Sequence, residues 1–109
     1  MTSTFKNARL AVTTSIETVY TCPSATTAII FMAQAANVNG VNDSTISLQW
    51  IDSSNNNNVT RLVDILSVQS GISMGLIDGK MVLEAGDYLQ AKASAINNIE
   101  LTISVLELT

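Results

Sequence analysis

Glu84 and Asp87, three positions apart, form the most closely spaced acidic pair away from the chain ends. Paired carboxylates can divide general acid and general base work between them. These two, however, bracket Ala85-Gly86. An Asp beside a glycine turn ordinarily accepts bonds from local backbone amides, while the adjacent Glu stays in water. The spacing therefore predicts a turn and not a catalytic pair. The chain contains no histidine, so the usual general base and the commonest metal ligand are missing together, and a Ser or Cys nucleophile would lack its middle partner. Cys22 is the sole cysteine; it rules out an intrachain disulfide and reads as a small buried hydrophobe. Asn55 to Asn58 supply only neutral amides, a poor calcium set. Gly71 and Gly75 have the wrong spacing for a phosphate loop, and no Lys-Ser/Thr pair follows them. The expectation is a chain with no catalytic residues, no cofactor and no metal.

Charge narrows the partners. Lys6, Arg9, Arg61, Lys80 and Lys92 are the only basic residues, they are scattered, and the formal net charge is −4. Nucleic acid, which is gripped through its phosphates by clustered Lys and Arg, is not an expected partner. No apolar run approaches the roughly 20 residues of a membrane helix, since Ala28 to Ala36 is already broken by Gln34. No membrane role is expected, and the opening Met1 to Lys6 lacks the layout of a secretory signal.

Composition points elsewhere. Hydrophobic residues make up 47% of the 109 residues and charged residues only 13%, about half the usual charged share of a soluble domain. A chain of this length closes around one core, residues 1–109 as a single domain, and buries only part of its surface. A mean hydropathy of +0.32 then leaves apolar area outside that core, to be covered by other subunits. A homo-oligomer or a subunit of a larger shell is the expectation.

The elements are extended. Ala, Val, Ile and Leu alternate with Thr, Ser and Asn, which is strand chemistry. Ala8, Leu10 and Val12 share one face of a first strand over residues 5–13, and a second, Ile16 to Cys22, stops at Pro23, the only proline. Thr26 to Val38 is apolar on both faces and reads as a central strand. Ser44 to Asp52 alternates cleanly with Ile46, Leu48 and Trp50 inward, Ser53 to Asn58 forms an exposed hairpin loop, and Val59 to Ile65 returns beside Trp50. Ile72 to Ile77 is a short strand with a possible bulge. Asp78-Gly79 is expected to make a hairpin turn into Met81-Val82-Leu83, and Glu84 to Asp87 a second turn into Tyr88 to Ala95. The final strand, Ile99 to Leu108, places Ile99, Leu101, Ile103 and Val105 on the core face. About eight short strands at this spacing predict an all-β, antiparallel sandwich of jelly-roll type.

Thr4-Phe5-Lys6-Asn7-Ala8, Val19 to Ile29, Ala36-Asn37-Val38, Val82 to Leu89 and Ile103 to Leu108 occur in an order that resembles a family of small virion structural proteins of tailed phages, of the cyanobacterial and marine type. The resemblance spans nearly the whole chain and rests on the ordered set. It implies a β-sandwich, made in the host cytoplasm and located in the virion, that binds other virion proteins. Those partners would be the major capsid protein, for a decoration or cement subunit, or neck and tail subunits, for a neck, collar or tail accessory. It supplies no catalytic residues. On this reading Phe5, Leu10, Ile30 and Met32 are expected at an interface or in the core. A host-glycan module, using the loop around Asn55, is the alternative.

Overall fold

In the computed structural model, which describes residues 2–109, nine strands account for most of the chain. They are β1 (Ser3–Ala11), β2 (Glu17–Thr21), β3 (Thr27–Asn37), β4 (Ser44–Asp52), β5 (Asn58–Val68), β6 (Ser73–Gly75), β7 (Met81–Leu83), β8 (Tyr88–Ala93) and β9 (Ile99–Leu108). All pairings are antiparallel. Sheet A has the order β1-β9-β3-β6, with β7 also on β3, and sheet B has the order β2-β8-β4-β5.

The asparagine and glycine turns fall where the sequence placed them, with one exception. Asp78-Gly79 does not close a hairpin. β6 pairs with Gln34 to Ala36 and β7 with Ala28 to Ile30 of the same strand, both antiparallel. Residues 73–83 therefore run in one direction along β3, and Leu76 to Lys80 loop out between the two pairings. Gly79, at φ +81, supplies the left-handed residue that this loop needs. A glycine turn signal thus marks an interruption within one strand, as bulge glycines do. Counted this way, eight strands form two four-stranded sheets, and successive strands alternate between the sheets except at the β4–β5 hairpin, which is the jelly-roll arrangement.

Alternation along the strands fills the space between the sheets. Ile30, Ile46, Leu48, Leu83, Leu89, Leu101, Ile103 and Val105 are all fully buried, and Trp50 packs against this cluster with part of its ring exposed. Ala28, Ala33, Ala35 and Ala91 are buried beside them and let the sheets approach closely. Cys22 is buried and donates to the carbonyl oxygen of Thr26; burial pushes its thiol pKa up, so it stays protonated and inert.

Strand β5 extends to Val68, three residues past its expected end, because it absorbs two register shifts against β4. At one of them Ile65 adopts φ +55. A β-branched side chain is strained in that region, and the Ile65 amide is held there by the Ser47 hydroxyl oxygen at 2.9 Å.

Candidate assembly face

The outer faces of both sheets carry polar and apolar rows, and the most exposed apolar row lies on sheet A. In a ladder, residues directly opposite share a face, so the registers define rows that cross a whole sheet. On the outer side of sheet A one such row is Phe5, Leu106, Ile29 and Val82, crossing β1, β9, β3 and β7. On the outer side of sheet B the corresponding row is Thr18, Gln90, Gln49 and Arg61, crossing β2, β8, β4 and β5. The first row is entirely apolar and the second entirely polar, with the Gln49 amide donating to Gln90 at 3.0 Å.

Phe5 stands 72% exposed and Val82 55%. Phe31, 41% exposed, packs its ring edge to face on Phe5, with centroids 5.9 Å apart. Phe31 occupies this place because a register shift in β3 between Ile30 and Met32 sets it out of the ladder. Together these side chains leave roughly 400 Å² of contiguous apolar surface, the size of the largest patch on a typical monomer and often a functional one. Toward the other end of the same face the rows become polar. Asn7, Arg9, Thr102, Ser104 and Met32 line a shallow concavity there.

Of the residues singled out from sequence, Phe5 and Met32 lie on this outer face. Ile30 is fully buried between the sheets, and Leu10, half-buried, packs against the same core. Sequence reasoning missed Ile29, Leu106 and Val82, which only the register aligns. A signal was present in β9: after Val105, the apolar residues Leu106 and Leu108 switch to the outer face while Glu107 takes the inner one.

Glu107 is buried between the sheets and accepts from the Tyr20 hydroxyl at 2.6 Å and from Lys6 Nζ at 3.0 Å. The Tyr20 bond and then the Lys6 bond hold its carboxyl below the ordinary range. Burial, and then the bond to Glu107, push the Tyr20 phenol well above its usual value. A carboxyl that folding holds charged contributes all its stability above the unfolded value of about 4.3, and loses it as pH falls through the lower folded value. The phenol works in the opposite sense: its share is complete below about pH 10 and is lost as pH rises. Urea unfolding followed from pH 7 to pH 2 is expected to show an acid-side loss that is smaller in Glu107→Gln. Identical acid limbs in the two proteins would sink this assignment.

Asp87 is the other buried carboxylate, with no exposed surface. Its Oδ1 accepts from the Ser53 amide at 3.1 Å and the Ser53 hydroxyl at 3.3 Å; its Oδ2 accepts from the Glu84 amide at 3.0 Å and Trp50 Nε1 at 3.3 Å. The expected turn bond, from Glu84 to Asp87, is present, and three further donors tie that turn to the start of the β4–β5 loop. The carboxylates of Asp52, Glu84 and Asp87 come within 4.8 Å of one another. Four donors already engage both oxygens of Asp87, so its role is to join two loops. Beside it, Gly86 sits at φ +88, and a Cβ there would lie 2.7 Å from Ser53 Oγ. Asn55 to Asn57 are exposed on the neighbouring loop, and the nearby Trp50 N–H is spent on Asp87.

No family model matches the sequence, and no curated protein matches it. Solved structures do share the fold. A Bacillus endospore-appendage protein, from a family of disulfide-linked pili, overlays 99% of this chain on 87% of its own at 9% identity, with a TM-score of 0.58. A chain of the acid-stable capsid of Helicobacter pylori bacteriophage KHP30 overlays all of this chain on 89% of its own at 12% identity, with a TM-score of 0.54. A chain of infectious bursal disease virus, Gx strain, overlays 98% of this chain on 30% of its own at 6% identity, with a TM-score of 0.56. At such identities the likeness is one of fold.

Proposed function

We propose that this chain is a non-enzymatic structural subunit of a viral particle, most specifically a decoration or cement subunit of a tailed-phage capsid. The observation that carries the proposal is the exposed apolar row that crosses sheet A. Phe5 and Val82 lead that row, 72% and 55% exposed. Removing roughly 400 Å² of apolar surface from water is worth up to about 10 kcal/mol at 25 cal/mol per Å². That gross gain is comparable to what association costs, so the row serves as the centre of an interface completed by its polar rim.

The neighbours in fold, a phage capsid chain among them, support a role in assembly without fixing it, since one fold hosts many functions. The linkage named for the appendage pili is not carried over, because the only thiol here is buried and bonded to Thr26. Bound by its outer sheet A face, the subunit would work statically, adding contacts that must be broken before the shell opens. Particles that lack the chain should lose infectivity after heating or osmotic shock sooner than complete ones, and purified chain added back should restore them. Equal survival of depleted and complete particles would refute the cementing role.

A further inference from the structure

Each sheet edge exposes unpaired backbone groups, and proteins normally blunt such edges. Three of the four edges here are blunted. β2 is five residues long, carries a register shift and ends near Pro23. β6 and β7 are three residues each, separated by their loop. β5 carries two register shifts, the strained Ile65, and the charged side chains of Arg61 and Asp64. β1 alone has nine residues in unbroken register, without proline or bulge. Its one inward-pointing charge, Lys6, is drawn to Glu107 and does not guard the edge.

The groups that β1 leaves open follow from its pairing. Thr2 and Thr109 exchange both backbone bonds, and the Val12 amide donates to Ile99. Alternation then turns Thr4, Lys6, Ala8 and Leu10 toward β9, and turns the amides and carbonyls of Ser3, Phe5, Asn7, Arg9 and Ala11 to the open side. We infer that this edge pairs antiparallel with β1 of a second copy of the chain about a two-fold axis through Asn7, joining two A sheets into one.

Self-complementarity argues for a copy as the occupant. With Asn7 opposite the second copy's Asn7, the strands overlap over their full length. Phe5 then lies opposite the second copy's Arg9 and Ser3 opposite its Ala11, all on the outer face. A guanidinium beside an aromatic ring is attractive, and no two like charges face each other although the whole chain is acidic. Lys6 lies opposite the second copy's Ala8. The pairing also places two apolar rows on one continuous face, so this inference deepens the assembly reading by naming a first partner.

Sedimentation of the purified chain should give twice its mass of 11.6 kDa at concentrations where Asn7→Pro sediments as a monomer. The Asn7 amide makes no bond to β9, so this proline blocks the added strand while sparing the sheet's own ladder. Phe5→Arg, which sets two cations opposite one another, should weaken the dimer by about 100-fold, and Phe5→Arg with Arg9→Glu should restore it. Asn7→Cys should oxidise to a disulfide-linked dimer, because directly opposite residues stand about 5.5 Å apart; Ser73→Cys, at the far edge, should not. A wild-type monomer at all concentrations together with no Asn7→Cys dimer would overturn the inference. A dimer that survives Asn7→Pro but is lost on Ile29→Lys would also overturn it, while leaving the covered-face reading intact.

Discussion

Asp87→Ala should lower the unfolding free energy by about 3–5 kcal/mol, the upper range for a single substitution. The carboxylate lies fully inside the protein and accepts from Ser53, Glu84 and Trp50. Alanine leaves two backbone amides and an indole N–H without their acceptor in a partly buried site, and each lost partner costs about 1–3 kcal/mol. Asp87→Asn is the sharper variant. Its shape is nearly unchanged, but every neighbour of the side chain is a donor or a hydroxyl, so an amide group turned toward any of the N–H groups meets another donor. It should lose more than half as much stability as the alanine variant. Guanidinium unfolding monitored by Trp50 fluorescence measures both. A nearly unperturbed Asp87→Asn protein would mean that the charge and second acceptor oxygen are dispensable.

Val82→Lys should reduce binding to depleted particles by at least about 100-fold, equivalent to roughly 2.7 kcal/mol. Val82 ends the apolar row on sheet A and is 55% exposed in the free chain. A lysine there costs the isolated protein within about 0.5 kcal/mol, as at most surface positions, yet it places an ammonium against an apolar contact once the face is covered. Gln49→Lys, on the polar row of sheet B, is the matched control and should bind normally. Co-sedimentation with particles separates the two, with unfolding midpoints showing that both variants fold. Equal binding by both would move the contact away from sheet A.

The strands were legible because their signals are local. Ile46, Leu48 and Trp50 alternate with polar residues, and Ser44–Asp52 is a strand with those bounds. Ile99, Leu101, Ile103 and Val105 line the core as their period of two requires. Asp78-Gly79 misled because a glycine at positive φ serves a hairpin and a looped-out interruption equally well, and only pairing with β3 separates them. The outer row was illegible for a related reason. Phe5, Ile29, Val82 and Leu106 are far apart in sequence, and register is a property of the whole sheet. Asp52 and Asp87 are likewise brought together by the β4–β5 hairpin and the turn that crosses from β7 in one sheet to β8 in the other. What could be read was the surplus of apolar side chains; what could not was which of them the pairing would line up in water.

The place of β9 bears on how the molecule comes into being. It lies between β1 and β3, so sheet A remains two unjoined fragments until residues 99–108 have left the ribosome. Sheet A cannot close piecemeal, and its completion waits on pairing between strands as distant in sequence as Ser3 and Leu108, a slow class of event. A chain lacking β9 would hold all four strands of sheet B but leave their inner face, Ile46 and Leu48 included, without a complete sheet A to cover it. Any polypeptide that lacks β9 therefore cannot complete sheet A.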